Sequence, residues 1–165
     1  MNKAAFLDRD GVLIKERGDY NHLPEHFIIN EGVIEALKYL QEKKYLLVVI
    51  SNQSGVAKHV YSLETVENFH QELNDMLKES GIHISEIYYC PHHPDAGLCL
   101  CRKPLPLLFE KAVARFQINP SESFLIGDAQ RDADAAEQCG VKPYLIKPNA
   151  NLFDEVKNIF AHPSM

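Results

Sequence analysis

With 165 residues, 45% hydrophobic and 24% charged, the chain has the makeup of one globular domain, and none of its apolar runs approaches the ~20 residues of a membrane span. A net charge of −6 argues against a nucleic-acid partner, whose affinity rests on neutralising phosphates. The N-terminus meets acid at Asp8, too early for a secretory signal, so a cytoplasmic protein without membrane partners is expected.

Strand-like and helix-like segments alternate from the first residues on. The run KAAFLD (3–8) is a short apolar strand ending in acid. Residues 31–44 space Val33, Leu37 and Leu40 at helical intervals, and 45–52 (YLLVVISN) are apolar without a break, as a strand buried on both faces should be. Residues 62–81 place Leu63, Val66, Phe69, Leu73 and Leu77 on one helical stripe, with Ser62 as N-cap and Gly81 closing the helix. A third strand follows at 84–90. A helix at 105–116 carries Pro106 in its first turn. A strand at 123–128, a helix at 131–140, a strand at 142–147 and a helix at 151–160 complete the chain. Such alternation predicts a single α/β domain over 1–165, a doubly wound parallel sheet with right-handed crossovers. No segment is long enough for an inserted cap domain. Ligands of such sheets bind beyond the carboxyl ends of the strands, where the polar residues of this chain gather.

Asp8 and Asp10 follow the first strand. An Asp-rich turn closed by Gly11 would account for them, but two close carboxylates also make a site for a divalent cation, and hard oxygen ligands suit Mg²⁺. Asp128 comes directly after another strand and a glycine, a position that helix capping explains poorly, and it can complete the same site. SNQSG (51–55) offers hydroxyl, amide and backbone donors for phosphate oxygens at a third strand end. Lys103, beside Arg102, supplies a cation for an otherwise over-acidic site. Between 90 and 101, Cys90, His92, Cys99 and Cys101 make three thiolates and one imidazole, a closed tetrahedral shell for structural Zn²⁺. His92 is preferred to His93 because Cys-x-His sets both donors on one side of an extended segment. Cys139 stands apart as a buried helix residue, and His22, His26, His59, His70, His83 and His162 receive no role.

In this order the motifs resemble those of the haloacid dehalogenase superfamily of phosphohydrolases: FLDRDG for the first, Ser51 for the second, Lys103 for the third and GDAQRD (127–132) for the acidic fourth. The segment YYCPHHP…CLCRKP is similar to the zinc loop of the heptose-bisphosphate phosphatases and, more loosely, of the histidinol-phosphatases. The resemblance implies a Rossmann-like core without a cap, and a Mg²⁺-dependent phosphomonoesterase of small phosphorylated substrates, a sugar bisphosphate first and histidinol phosphate as the alternative. It implies a monomer and a place in lipopolysaccharide heptose supply. By the same resemblance Asp8 is the nucleophile that forms an aspartyl-phosphate, and Asp10 is the general acid and then base. Asp8, the Asp10 carbonyl and Asp128 hold Mg²⁺. Ser51, Asn52, Gln53, Ser54 and Lys103 bind the phosphoryl group. Arg9, Gly18, Tyr20 and Arg102 contact the rest of the substrate, and Asp132 orients Lys103 or a metal-bound water. From a different class, a phospho-accepting receiver domain shares the sheet and the acidic site, but it has no need of the cysteine loop or of Arg102 and Lys103.

Overall fold

Period-two alternation at the first strand organises the whole molecule. In the computed structural model, which describes residues 1–162, β1 (Lys3–Leu7) is the central strand of a five-stranded parallel sheet. Its neighbours are β2 (Tyr45–Asn52) on one side and β4 (Phe124–Gly127) on the other; β3 (Ile84–Cys90) and β5 (Lys142–Leu145) form the edges, giving the order β3-β2-β1-β4-β5. Ala5 and Leu7 face one layer, with Leu47 and Val49, under the helices α1 (Val33–Glu42), α2 (Leu63–Glu79) and α5 (Leu152–Ala161). Ala4 and Phe6 face the other, with Val48 and Ile50, under α3 (Leu107–Phe116) and α4 (Gln130–Gln138). Both faces of the sheet are thus covered, which is why β2 reads as unbroken hydrophobic sequence.

The expected elements are all present, with ends that move by at most two residues. Ser62 caps α2 as expected, its hydroxyl accepting from the Thr65 N–H at 3.1 Å. Pro106 is the residue before the first turn of α3 rather than a member of it, so the helix begins at Leu107. Short 3₁₀ turns at Pro24–His26 and Pro120–Glu122, each opened by a proline, were not expected from periodicity, because three residues are too few to show one. Among the described residues no helix is long and apolar enough to cross a membrane.

From β1 the chain crosses to β2 on one side and later to β4 on the other, so the carboxyl ends of β1 and β4 flank the crevice where the winding reverses. Leu7 pairs with Ile126, and the Asp8 N–H donates to the Ile126 carbonyl at 3.1 Å. That register brings Asp8 and Asp128 to one place.

Candidate active site

Asp8 continues the parity of Ala4 and Phe6, so its side chain leaves the sheet toward α3 and α4. Lys103, in the loop before α3, meets it there: Nζ lies 3.0 Å from Asp8 Oδ1, 2.7 Å from Asp132 Oδ1 and 2.8 Å from the Ile50 carbonyl. Lys103 and Asp132 are both buried, at 1% and 0% exposure. Asn52 fixes the Lys103 backbone from both sides, accepting from its N–H at 3.0 Å and donating to its carbonyl at 3.2 Å. Asp132, with Oδ2 accepting the Ala129 N–H, is thereby a partner of Lys103. Carboxylate oxygens of Asp8, Asp128 and Asp132 all lie within 4.8 Å of one another. Gly11 makes this approach possible. Its φ is +89°, and a Cβ there would stand 2.0 Å from Asp128 Oδ2. Burial, with Asp132 and Asp128 close by, pushes the Asp8 carboxyl up to about 8 despite the attraction of Lys103.

Asp10 is held by four donors. Oδ1 accepts from Arg9 Nε at 3.1 Å and Asn21 Nδ2 at 2.9 Å; Oδ2 accepts from Arg9 Nη2 at 3.0 Å and Gln53 Nε2 at 3.2 Å. Arg9, expected at the substrate, is placed otherwise: its guanidinium engages Asp10, and it is not among the residues that line the cavity. Its side chain is 1% exposed and turned into the protein, toward Phe69 and His70. Ser51, expected at the phosphoryl group, does not line the cavity. It is buried behind the cavity wall, its hydroxyl accepting from Gln53 Nε2 at 2.7 Å, while Asn52, Gln53 and Ser54 line the wall. Gln53 is oriented by Tyr61, whose hydroxyl donates to Oε1 at 2.7 Å. Burial pushes the Tyr61 phenol up to about 12, so it stays a donor.

These groups enclose a cavity of about 400 Å³ with Asp8, Asp10, Asp128 and Lys103 on its wall. Gly18 and Tyr20 reach it from the loop after β1, and the Tyr20 hydroxyl lies 3.4 Å from Ser54 Oγ. Arg102 reaches it from the cysteine loop. Three more lining residues were missed from sequence: Glu16, Asp19 and Arg131. Arg131 sits inside the acidic fourth motif, directly before Asp132. Arg102 and Arg131 have no ion-pair partner among the described residues, although Arg102 Nη1 donates to the His92 carbonyl at 3.3 Å.

The cysteine loop gathers Cys90, His92, Cys99 and Cys101, whose donor atoms lie within 4.8 Å of one another. Cys90 Sγ is 3.7 Å from Cys99 Sγ and 3.0 Å from Cys101 Sγ, and His92 Nδ1 is 3.4 Å from Cys90 and 3.2 Å from Cys101. His93 is turned away and faces Asp95 at 3.4 Å. Cys139 lies outside the cluster at the end of α4.

The family model described as polynucleotide kinase 3 phosphatase matches residues 3–162. The chain is 42% identical over 146 residues to the D-glycero-beta-D-manno-heptose-1,7-bisphosphate 7-phosphatase of Haemophilus ducreyi, covering 85% of this chain and 80% of that one. The chain belongs to the heptose-bisphosphate phosphatase family. It is accordingly a phosphatase of the haloacid dehalogenase type. Another of these phosphatases, that of Photorhabdus laumondii, is named for the alpha anomer and is 37% identical, covering 88% of this chain and 82% of that relative. Among solved structures, the D,D-heptose 1,7-bisphosphate phosphatase of B. bronchiseptica, complexed with magnesium and phosphate, superimposes with a TM-score of 0.83 at 30% identity, covering 94% of this chain and 86% of that one.

Both metals expected for this heptose-bisphosphate phosphatase family fit the residues present. Three carboxylates face a single ammonium, an excess of negative charge that raises Asp8 and that a divalent cation would neutralise. Tetrahedral zinc with bonds of about 2.3 Å sets sulphurs about 3.7 Å apart, the scale of the cysteine cluster. All four thiols of the chain are free of disulfides.

Proposed function

We propose that the protein hydrolyses the 7-phosphate of D-glycero-D-manno-heptose 1,7-bisphosphate through an aspartyl-phosphate on Asp8. The Asp8 carboxylate attacks phosphorus as the ester P–O bond breaks. Asp10 gives its proton to the leaving sugar oxygen. Asp10 then takes a proton from water, whose oxygen attacks phosphorus and frees Asp8 and inorganic phosphate. Lys103, kept in place by Asp132 and Asn52, neutralises the phosphoryl oxygens, and Asn52, Gln53 and Ser54 donate to them, with Ser51 behind them holding Gln53. Asp8, Asp128 and the Asp10 carbonyl would hold Mg²⁺, which supplies positive charge between the nucleophile and the phosphate dianion. Cys90, His92, Cys99 and Cys101 would hold structural Zn²⁺ and so fix the loop that presents Arg102 and Lys103. Arg102 and Arg131 bind the distal phosphate, while Gly18, Tyr20, Glu16 and Asp19 border the sugar.

The observation that carries this reading is the juxtaposition of Asp8, Asp128 and Lys103 on the wall of a cavity that also holds two arginines without ion-pair partners. One acidic end takes metal and reacting phosphate, and the arginines suit a second phosphate. The test compares phosphate release from both anomers of the heptose bisphosphate and from histidinol phosphate, with Mg²⁺ and with EDTA. The bisphosphate is expected to have the highest kcat/KM, to depend on Mg²⁺, and to be inert with Asp8→Asn. A preference for histidinol phosphate would overturn the substrate assignment. Turnover by Asp8→Asn would overturn the nucleophile.

A further inference from the structure

Arg9 is a buried cation that the reaction as written does not use. Each of its nitrogens is committed. Nε and Nη2 form a two-pronged contact with the Asp10 carboxylate, at 3.1 and 3.0 Å. Nη2 also donates to the Asn21 carbonyl at 3.0 Å. Nη1 donates to His70 Nε2 at 3.2 Å. The guanidinium carbon lies 4.6 Å from the centre of the Phe69 ring, so a π face covers the plane that the hydrogen bonds leave open. A guanidinium has no acceptor, so His70 Nε2 must be the unprotonated nitrogen of a neutral imidazole. His70 is itself wedged in place, 5% exposed and edge-on to Tyr89 at 5.3 Å.

The direction of support runs from α2 to the reacting centre. Phe69 and His70 sit on the buried stripe of that helix, Arg9 bridges from them, and Asp10 stands at the cavity. A carboxylate on a loop has two side-chain torsions free. A planar fork whose own plane is set by an imidazole, a carbonyl and a ring removes that freedom. We propose that Arg9, held by His70 and Phe69, is a positioning residue that fixes the Asp10 carboxyl in the orientation from which it protonates the leaving group. The inference rests on the general-acid reading of Asp10 given above. It assigns His70, 61 residues away in sequence, an indirect part in catalysis.

A misplaced general acid harms esters in proportion to their need for a proton. Heptose bisphosphate releases an alkoxide and needs one; p-nitrophenyl phosphate releases a stable phenolate and does not. The readout is the ratio of kcat/KM for the two esters, which covers binding through phosphoryl transfer and excludes the later hydrolysis of the aspartyl-phosphate. General-acid catalysis contributes about 10²–10⁴-fold, so Arg9→Lys, which keeps the charge and loses the fork, is expected to lower the ratio at least about tenfold. His70→Leu is expected to lower it in the same sense, and His70→Gln, whose amide oxygen can accept from Nη1, to restore it. Equal losses on both esters in Arg9→Lys would mark a merely structural role and overturn the proposal. If Arg9→Lys fails to fold, the His70 pair decides alone: a fall in Leu restored in Gln supports positioning, and an unchanged ratio in Leu defeats it. Asp10→Asn separates the two layers of reasoning. An unchanged ratio there removes the acid role itself, whereas a lowered ratio there beside an unchanged Arg9→Lys removes only the positioning.

Discussion

His70 should make the protein lose stability in mild acid, and the loss can be worked out. Burial, with the Arg9 cation beside it, lowers the imidazole from its ordinary 6.5 to about 3, against a smaller opposing pull from Asp10. The groups facing it are Arg9 from the loop after β1, Tyr89 from β3 and Asp10 across the guanidinium. In the folded protein the ring stays neutral; in the unfolded chain it takes a proton below about pH 6.5. The unfolded state therefore binds more protons in the interval from about 6.5 down to about 3, and stability present above that interval is lost as pH falls through it. At 1.36 kcal/mol per pH unit, the contribution at pH 5 is a loss of about 2 kcal/mol relative to pH 7.5. Urea denaturation of wild type and His70→Gln at the two pH values isolates it, because every other titrating group is common to both. Wild type should lose about 2 kcal/mol more than the variant. Equal losses would refute the claim that this imidazole is held neutral by its buried setting.

Gly11→Ala is expected to stop turnover and lower stability by about 1–2 kcal/mol or more, since the left-handed backbone disfavours any Cβ and this one would strike Asp128; full activity in the purified variant would contradict the proposed approach of the two carboxylates. Metal analysis should find about one Zn²⁺ per chain, lost in Cys99→Ser together with a fall in melting temperature; an unchanged melting temperature on zinc loss would contradict a structural metal. Arg131→Ala should raise KM for the bisphosphate about 10-fold or more while sparing a sugar monophosphate, as loss of a charge-assisted bond costs about 1.5–3 kcal/mol. Equal effects on both substrates would place Arg131 elsewhere.

The parts of this molecule that were legible in the sequence are those set by local rules. The strand ends could be read because an apolar run stops at Asp8, Asn52, Cys90 and Asp128, and parallel winding carries those ends to one edge. Ser62 and the α2 stripe announced their helix in the same way. What escaped depends on approach in three dimensions. Arg9 lies inside the most visible motif, yet its direction follows from the pocket that Phe69 and His70 offer, two residues on a helix far along the chain. One signal was available: His70 falls between Val66 and Leu73 on the apolar stripe, where a histidine needs a buried partner. Ser51 escaped for a related reason, since which of four consecutive polar residues faces the cavity depends on the Tyr61–Gln53 bond behind them.

The one-sided placement of the strand termini has a practical corollary. The helix-to-strand turns at 43–44, 80–83, 117–123 and 139–141 all lie on the far rim of the sheet from Asp8. The bend at 43–44 is exposed throughout, and such bends tolerate extension. A fluorescent or affinity peptide grafted at 43–44 would sit a full strand length from the chemistry, leaving the enzyme free to be anchored on a support with its mouth facing the solution.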